Sequence, residues 1–289
     1  MSDTQYLAAK TIDEAVNAHE KANGTARFLA GGTDLLVQIK SGIRKPNLVI
    51  DIKKIVELNS INEISDGEFE IGASVSGANL NRNSKFAKLW PGVLEAFRLI
   101  GSEQIQGRAS LGGNLCNGSP AGDSVPALIA AGCKAVIAGP KGRKDVPIEN
   151  FHLGPGKTVL ENGEMLVSLK FPKRVSNSAD AYLRMTPRTE MDIAVVGCGV
   201  NITLENDICT HARVSLGAVA PTPLLIEKAS EIMVGSKLDN DTLDKVSKMC
   251  MDACNPINDK RGTVDYRTKV AGVLFKRATN LAAERIRGN

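Results

Sequence analysis

Two glycine-bearing segments constrain this chain more than any other feature. LAGGTDLL occupies residues 29–36, and ASLGGNLCNGSPAGD, with four glycines and two asparagines, occupies residues 109–123. The first lies between a strand pattern and a helix pattern. Its backbone N–H groups and the positive end of the helix therefore converge where a phosphate can rest. Gly31 and Gly32 let the backbone approach a ligand, Thr33 offers a hydroxyl, and Asp34 or Thr33 is expected to cap the helix. The second segment repeats the design about eighty residues later with Ser110, Gly112, Gly113 and Asn114. Two such loops suggest a ligand with more than one phosphate. Asp123 opens DSVPALIAAG, where Pro126 falls in the first turn, so helix capping and ligand contact are both open to it.

Around these loops the chain alternates as an α/β protein. TQYLAA, ARFLA and NLVID read as strands, TIDEAVNAHEKAN and DLLVQIKSG as helices, with Gly24 and Gly42 at helix ends. A second α/β stretch holds INEISD and FEIGAS about an Asp-Gly turn, a helix at WPGVLEAFRLIG, a helix at SVPALIAAG, and strands KAVIAG and EMLVSLKFP. Pro172 and the polar run KRVSNSAD mark a boundary. Beyond it, DIAVVGCGVNITLE and DICTHARVSLGAVA form an expected antiparallel hairpin about the turn END. Three helices follow, the last amphipathic with Val270, Leu274, Ala278 and Leu281 near one face. We expect a domain over residues 1–175, in two parts at about 1–57 and 58–175, then an α+β domain over 176–289.

Several chemistries are disfavoured. A net charge of +4 without a strong basic block argues against nucleic acid. No apolar run approaches the 18 or so residues of a membrane span, and the start lacks a secretory pattern, so a cytoplasmic protein is expected. The six cysteines never occur as C-x-x-C and read as buried reduced thiols. Cys250 and Cys254 share a helix face without histidines, a poor zinc cage. GCGVNI lacks the third glycine of a Rossmann fingerprint, and GPGKT at 154–158 ends like a Walker A loop but has Phe151 where its first glycine belongs. His19, His152 and His211 lie in neither glycine loop nor a nucleophile motif, so any chemistry falls to a cofactor.

Four ordered segments then carry a resemblance: FLAGGTDLLVQIKSG with NLVIDIKKI, IGSEQIQGRASLGGNLCNGSPAGDSVPALIA, LGPGKTVLENGEMLVSLKFP, and TPRTEMDIAVV. Together they resemble the FAD-binding medium subunit of molybdenum hydroxylases, the xanthine dehydrogenase and carbon monoxide dehydrogenase group. The resemblance implies an α+β fold: a two-part FAD domain of the vanillyl-alcohol-oxidase or PCMH type, then a C-terminal domain with an antiparallel sheet and helices. It also implies noncovalent FAD gripped by Leu29, Ala30, Gly31, Gly32, Thr33 and Asp34 and by Ser110, Gly112, Gly113 and Asn114. Asp123 matches an acidic position that contacts the cofactor, Leu166 an apolar contact, and Arg184 an often basic position near the flavin, with a surface ion pair as its alternative.

Gln104, Ile105, Gln106 and Gly107 depart from the Gln-x-Arg-Asn of many relatives. Cys116 matches the first cysteine of an iron–sulfur insertion that this sequence does not carry, so no cluster is expected in this chain. Implied partners are a small subunit with two [2Fe-2S] clusters and a large molybdopterin-binding subunit, as a heterotrimer or a dimer of heterotrimers. A self-contained PCMH-type flavoenzyme and a nonenzymatic nucleotide-binding scaffold are the competing readings.

Overall fold

The computed structural model describes residues 4–288. The chain opens with β1 (Gln5–Ala8), α1 (Ile12–Lys21), β2 (Ala26–Leu29), α2 (Leu35–Lys40) and β3 (Leu48–Asp51), which form a parallel sheet in the order β1-β3-β2. Thr11 caps α1, its hydroxyl accepting from Glu14 N at 3.1 Å. This lobe is too small to bury its own apolar face. Ile12, Ala15, Val16 and Ile50 therefore share a core with Val136, Ala138, Met165 and Val167 of the next lobe.

That second lobe contains β4 (Ile61–Ser65), β5 (Glu68–Gly72), α3 (Gly77–Arg82), α4 (Ser84–Leu89), α5 (Pro91–Arg98), α6 (Glu103–Gln106), α7 (Leu111–Cys116) and α8 (Ser124–Ala130). It continues through β6 (Lys134–Gly139), β7 (Gly142–Pro147), β8 (His152–Gly154), β9 (Lys157–Thr158) and β10 (Met165–Phe171). Its sheet is antiparallel, ordered β4-β5-β10-β6-β7. Phe69, Phe86, Trp90 and Phe171 pack edge-on or tilted between sheet and helices, at centroid separations of 5.0–5.6 Å. Among the elements that depart from the sequence reading are α7 and β7. The second glycine segment is not all loop: Ser110 caps the six-residue α7 by accepting from Gly113 N at 3.0 Å. And polar GRKDVP forms the edge strand β7, which its charged, exposed side chains disguise.

The last unit comprises β11 (Ser178–Met185), β12 (Val196–Glu205), β13 (Ile208–Gly217), β14 (Leu224–Leu225), α9 (Glu227–Met233), α10 (Asn240–Asp252) and α11 (Val264–Arg287), with an antiparallel sheet in strand order. The β12–β13 turn places Asn206 at φ 51° and Asp207 at φ 63°, the paired positive values of a tight hairpin. Strand β12 is buried along nearly its whole length because α8 and α11 both pack on it. Its glycines serve that approach, since a Cβ on Gly199 would lie 2.6 Å from the Pro126 carbonyl. In α11 the buried face runs through Ala271, Leu274, Phe275, Ala278 and Ala282, leaving Val270 and Leu281 half-buried at its flanks. The expected face is therefore turned by about one residue, because Phe275 rather than Val270 anchors it.

Buried charges join this unit to the second lobe. Asp180 pairs with Arg174 at 3.2 Å and accepts from Val93 N at 3.1 Å, while the Arg174 guanidinium lies 4.3 Å from the centre of the Trp90 ring. Arg285 bonds Glu95 and the Asp180 carbonyl.

A cavity between two glycine segments

A cavity of about 610 Å³ opens between the two lobes. Ala30, Gly31, Gly32, Thr33 and Asp34 line one side and Ser110, Gly112, Gly113 and Asn114 the other, with Leu166 of β10 also on the wall. The lobes meet here backbone to backbone. A Cβ on Gly31 would overlap the Arg108 carbonyl, and within the second lobe one on Gly112 would lie 2.5 Å from that of Ala73. Gly32 takes φ +81°, a left-handed conformation that suits glycine. Arg108 Nε donates to the Gly31 carbonyl at 3.1 Å, and Asn117 donates to Asp34 at 3.4 Å and accepts from Gln38 at 3.1 Å. Within the described residues, no hydrogen bond occupies the backbone N–H groups of Gly31, Gly32, Thr33 or Asp34. The arrangement is a cradle of free peptide donors whose backbone packing leaves no room for a side chain at Gly31 or Gly112.

The predicted caps differ from expectation. Neither Asp34 nor Thr33 caps α2 through its side chain, and Asp123 does not cap α8. Instead Asn114 Oδ1 accepts from Ser124 N at 3.3 Å and from Ser124 Oγ at 2.7 Å, holding the start of α8 to the cavity wall. Burial raises the pKa of Asp34.

Three of the predicted residues lie outside the wall. Leu29 is buried behind Gly32. Asp123 accepts from Arg184 at 2.9 Å and from the Tyr182 hydroxyl at 3.1 Å, all three side chains being buried. Burial pushes the Asp123 carboxyl up to about 6, against the opposing pull of Arg184 and Tyr182. Arg184 also donates to the Leu99 carbonyl at 3.0 Å, next to Ile100 on the wall. It is thus no surface ion pair: it is a buried tie between β11, α8 and the segment leading to the cavity.

Sequence reasoning missed part of the wall. His19 and Phe28 stack with centroids 4.5 Å apart, and His19 Nδ1 accepts from Gly163 N at 3.0 Å. Burial, helped by Arg27, lowers the His19 pKa, so the ring is neutral at pH 7. Arg27, Arg44 and Lys157 also line the cavity, Lys157 from the GPGKT segment and the two arginines outside any recognisable motif. Cys116 is exposed on the wall rather than buried, and Cys254 is half-buried, whereas Cys133, Cys198, Cys209 and Cys250 are buried as expected. His152 is structural, its Nε2 lying 2.7 Å from the Leu115 carbonyl. Gln106, in the departing Gln-Ile-Gln-Gly stretch, is buried and ties to the carbonyls of Arg98 and Ile100 at 2.8 and 3.2 Å.

Fold and cavity define a two-lobed domain of the FAD-binding type with an appended antiparallel α+β domain. A family described as the FAD binding domain in molybdopterin dehydrogenase matches residues 2–174, and the CO dehydrogenase flavoprotein C-terminal domain matches residues 181–282. The chain is 31% identical to the xanthine dehydrogenase FAD-binding subunit of Escherichia coli O157:H7, across 96% of this chain and 95% of that one. It is 32% identical to the carbon monoxide dehydrogenase medium chain of Hydrogenophaga pseudoflava, across 96% of each. A crystal structure of Cu,Mo-CO dehydrogenase contains a chain that superposes with a TM-score of 0.94 at 32% identity, covering 98% of both. This chain belongs to the family of FAD-binding medium subunits of molybdenum hydroxylases.

Proposed function

We propose that the cavity holds FAD noncovalently and that the chain is the electron outlet of a molybdenum hydroxylase complex. One observation carries this: glycine segments from two lobes face each other across one cavity, with Gly31 packed so closely on the Arg108 carbonyl at the edge of the second segment that it admits no Cβ. Unoccupied peptide N–H groups there suit a diphosphate, whose oxygens accept several donors at once. Ala30, Gly31, Gly32, Thr33 and Asp34 would hold it from one side and Ser110, Gly112, Gly113 and Asn114 from the other, while Leu166 would offer the cofactor an apolar surface.

FAD when bound supplies the exchange between one-electron and two-electron transfer. The chain's own residues bind, orient and shield it. Asp123 and Arg184 hold the Leu99–Ile100 segment and α8 in place behind the wall. Leu29 supports the turn at Gly32. We assign domain limits of 1–175 and 176–289, with the cofactor domain divided near residue 57.

In this reading a small subunit bearing two [2Fe-2S] clusters delivers the electrons, and a large molybdopterin subunit carries out the substrate hydroxylation. The assembly is a cytoplasmic heterotrimer or a dimer of heterotrimers. Four buried unpaired cysteines support a reducing compartment, and none of the described helices is long and apolar enough to cross a membrane. Affinity purification of the full chain from its native host tests the assembly. Iron–sulfur and molybdopterin polypeptides in constant proportion are expected; a chain that elutes alone and oxidises an organic substrate unaided would contradict it.

A further inference from the structure

We infer that the GPGKT hairpin, β8–β9, supplies the cation that neutralises the ligand's diphosphate, with Lys157 as the charge. The inference rests on the FAD reading and adds a residue to it. The two glycine segments, 29–36 and 109–123, contain no lysine or arginine; their charged side chains are Asp34 on the wall and Asp123, which is buried behind it with Arg184. A diphosphate cradled there meets peptide dipoles and one carboxylate, so a nearby cation would strengthen its binding.

Arg108 borders the second segment, but its Nε is engaged by the Gly31 carbonyl and it does not line this cavity; of the three cations that do, two stand elsewhere. Arg27 donates to the carbonyls of Gly24 at 3.0 Å and Ala26 at 2.6 Å, beside the His19–Phe28 stack. Burial lowers its pKa, and the nearby Arg44 guanidinium lowers it further, so Arg44 belongs to the same end.

Lys157 is built onto the glycine end. Gly156 N donates to the Gly118 carbonyl at 2.9 Å, and His152 binds the Leu115 carbonyl, so the hairpin rides on α7 and the residues after it. The fit is close: a Cβ on Gly118 would lie 3.0 Å from Gly156 Cα and 3.2 Å from Lys157 N. Asn117, immediately before Gly118, is the residue that touches Asp34 and Gln38 of the first segment. The hairpin thus places Lys157 beside the junction of the two segments. No carboxylate pairs with it among the described residues. Gly156 takes φ +69°, which the Pro-Gly turn needs to reverse the chain there.

The test is FAD binding to the flavin-free full chain, followed by flavin fluorescence at several ionic strengths, with Lys157→Met and Lys157→Arg. The inference expects Lys157→Met to weaken binding about tenfold and to flatten its salt dependence, with Lys157→Arg restoring most of both. Equal affinity and equal salt dependence in wild type and Lys157→Met would overturn it. So would equal weakening in the Met and Arg variants with a lowered melting midpoint, which marks a structural role. Failure of the wild type to bind FAD at all would instead overturn the FAD reading itself.

Discussion

At the scale of single residues, the site depends on missing side chains and one buried charge pair. Gly31→Ala must displace the Arg108 backbone, and Gly112→Ala that of Ala73. Each should cost about 1 to 3 kcal/mol of stability and strip the purified chain of flavin, as read by urea denaturation and flavin content. Asp123 makes a pH prediction. Its folded pKa lies near 6, above the ordinary carboxylate value, so the native state holds an extra proton between about pH 4 and pH 6. Stability contributed by this residue therefore falls as the pH rises through that window. The stability difference between wild type and Asp123→Asn should shrink over the same interval. A difference that grows would show that Arg184 and Tyr182 outweigh burial. Truncating Arg184 to Met strands the Asp123 carboxylate and should cost about 3 to 5 kcal/mol at pH 7.

At the scale of elements, the glycine segments were legible as sites of close backbone approach because turn chemistry is local, as φ +81° at Gly32 shows, whereas the helix α7 that Ser110 caps was hidden by its glycines. Strands with apolar faces, the Asp-Gly turn and the END hairpin were legible for the same reason. The capping role of Asn114 was not, because it joins residues ten apart whose meeting depends on how α7 packs. Nor was β7, whose pairing with β6 offsets a polar sequence by edge hydrogen bonds. Ser110→Ala should remove the α7 cap at a cost of about 1 kcal/mol and weaken flavin retention, checked by thermal melting and dialysis. Full retention would place the second segment's contribution in its glycines alone.

At the scale of the whole molecule, charge and aromatic contacts link regions far apart in sequence, and this is where sequence reading ran out. His19, Arg27 and Lys157 reach one cavity from three separate elements; Lys157 lies in the GPGKT segment, but no sequence motif announces that the three meet. The pairing of Asp123 with Arg184 likewise spans 61 positions. The resemblance carried what pattern alone could not, namely the cofactor and the company the chain keeps. Asp180 joins lobe and C-terminal unit through Arg174, Val93 and Arg285. Asp180→Ala should lower stability by about 3 to 5 kcal/mol by leaving Arg174 buried without its partner, measured as a shift in the denaturation midpoint.

The most direct test of the central claim is the absorption spectrum of the purified chain before and after denaturation, with the released cofactor identified by mass. The account predicts a flavin spectrum and FAD released intact, without covalent attachment even though His19 lines the cavity. A chain that takes up no flavin on reconstitution with excess FAD would contradict it, leaving Gly31, Gly32, Gly112 and Gly113 as turn and packing residues only.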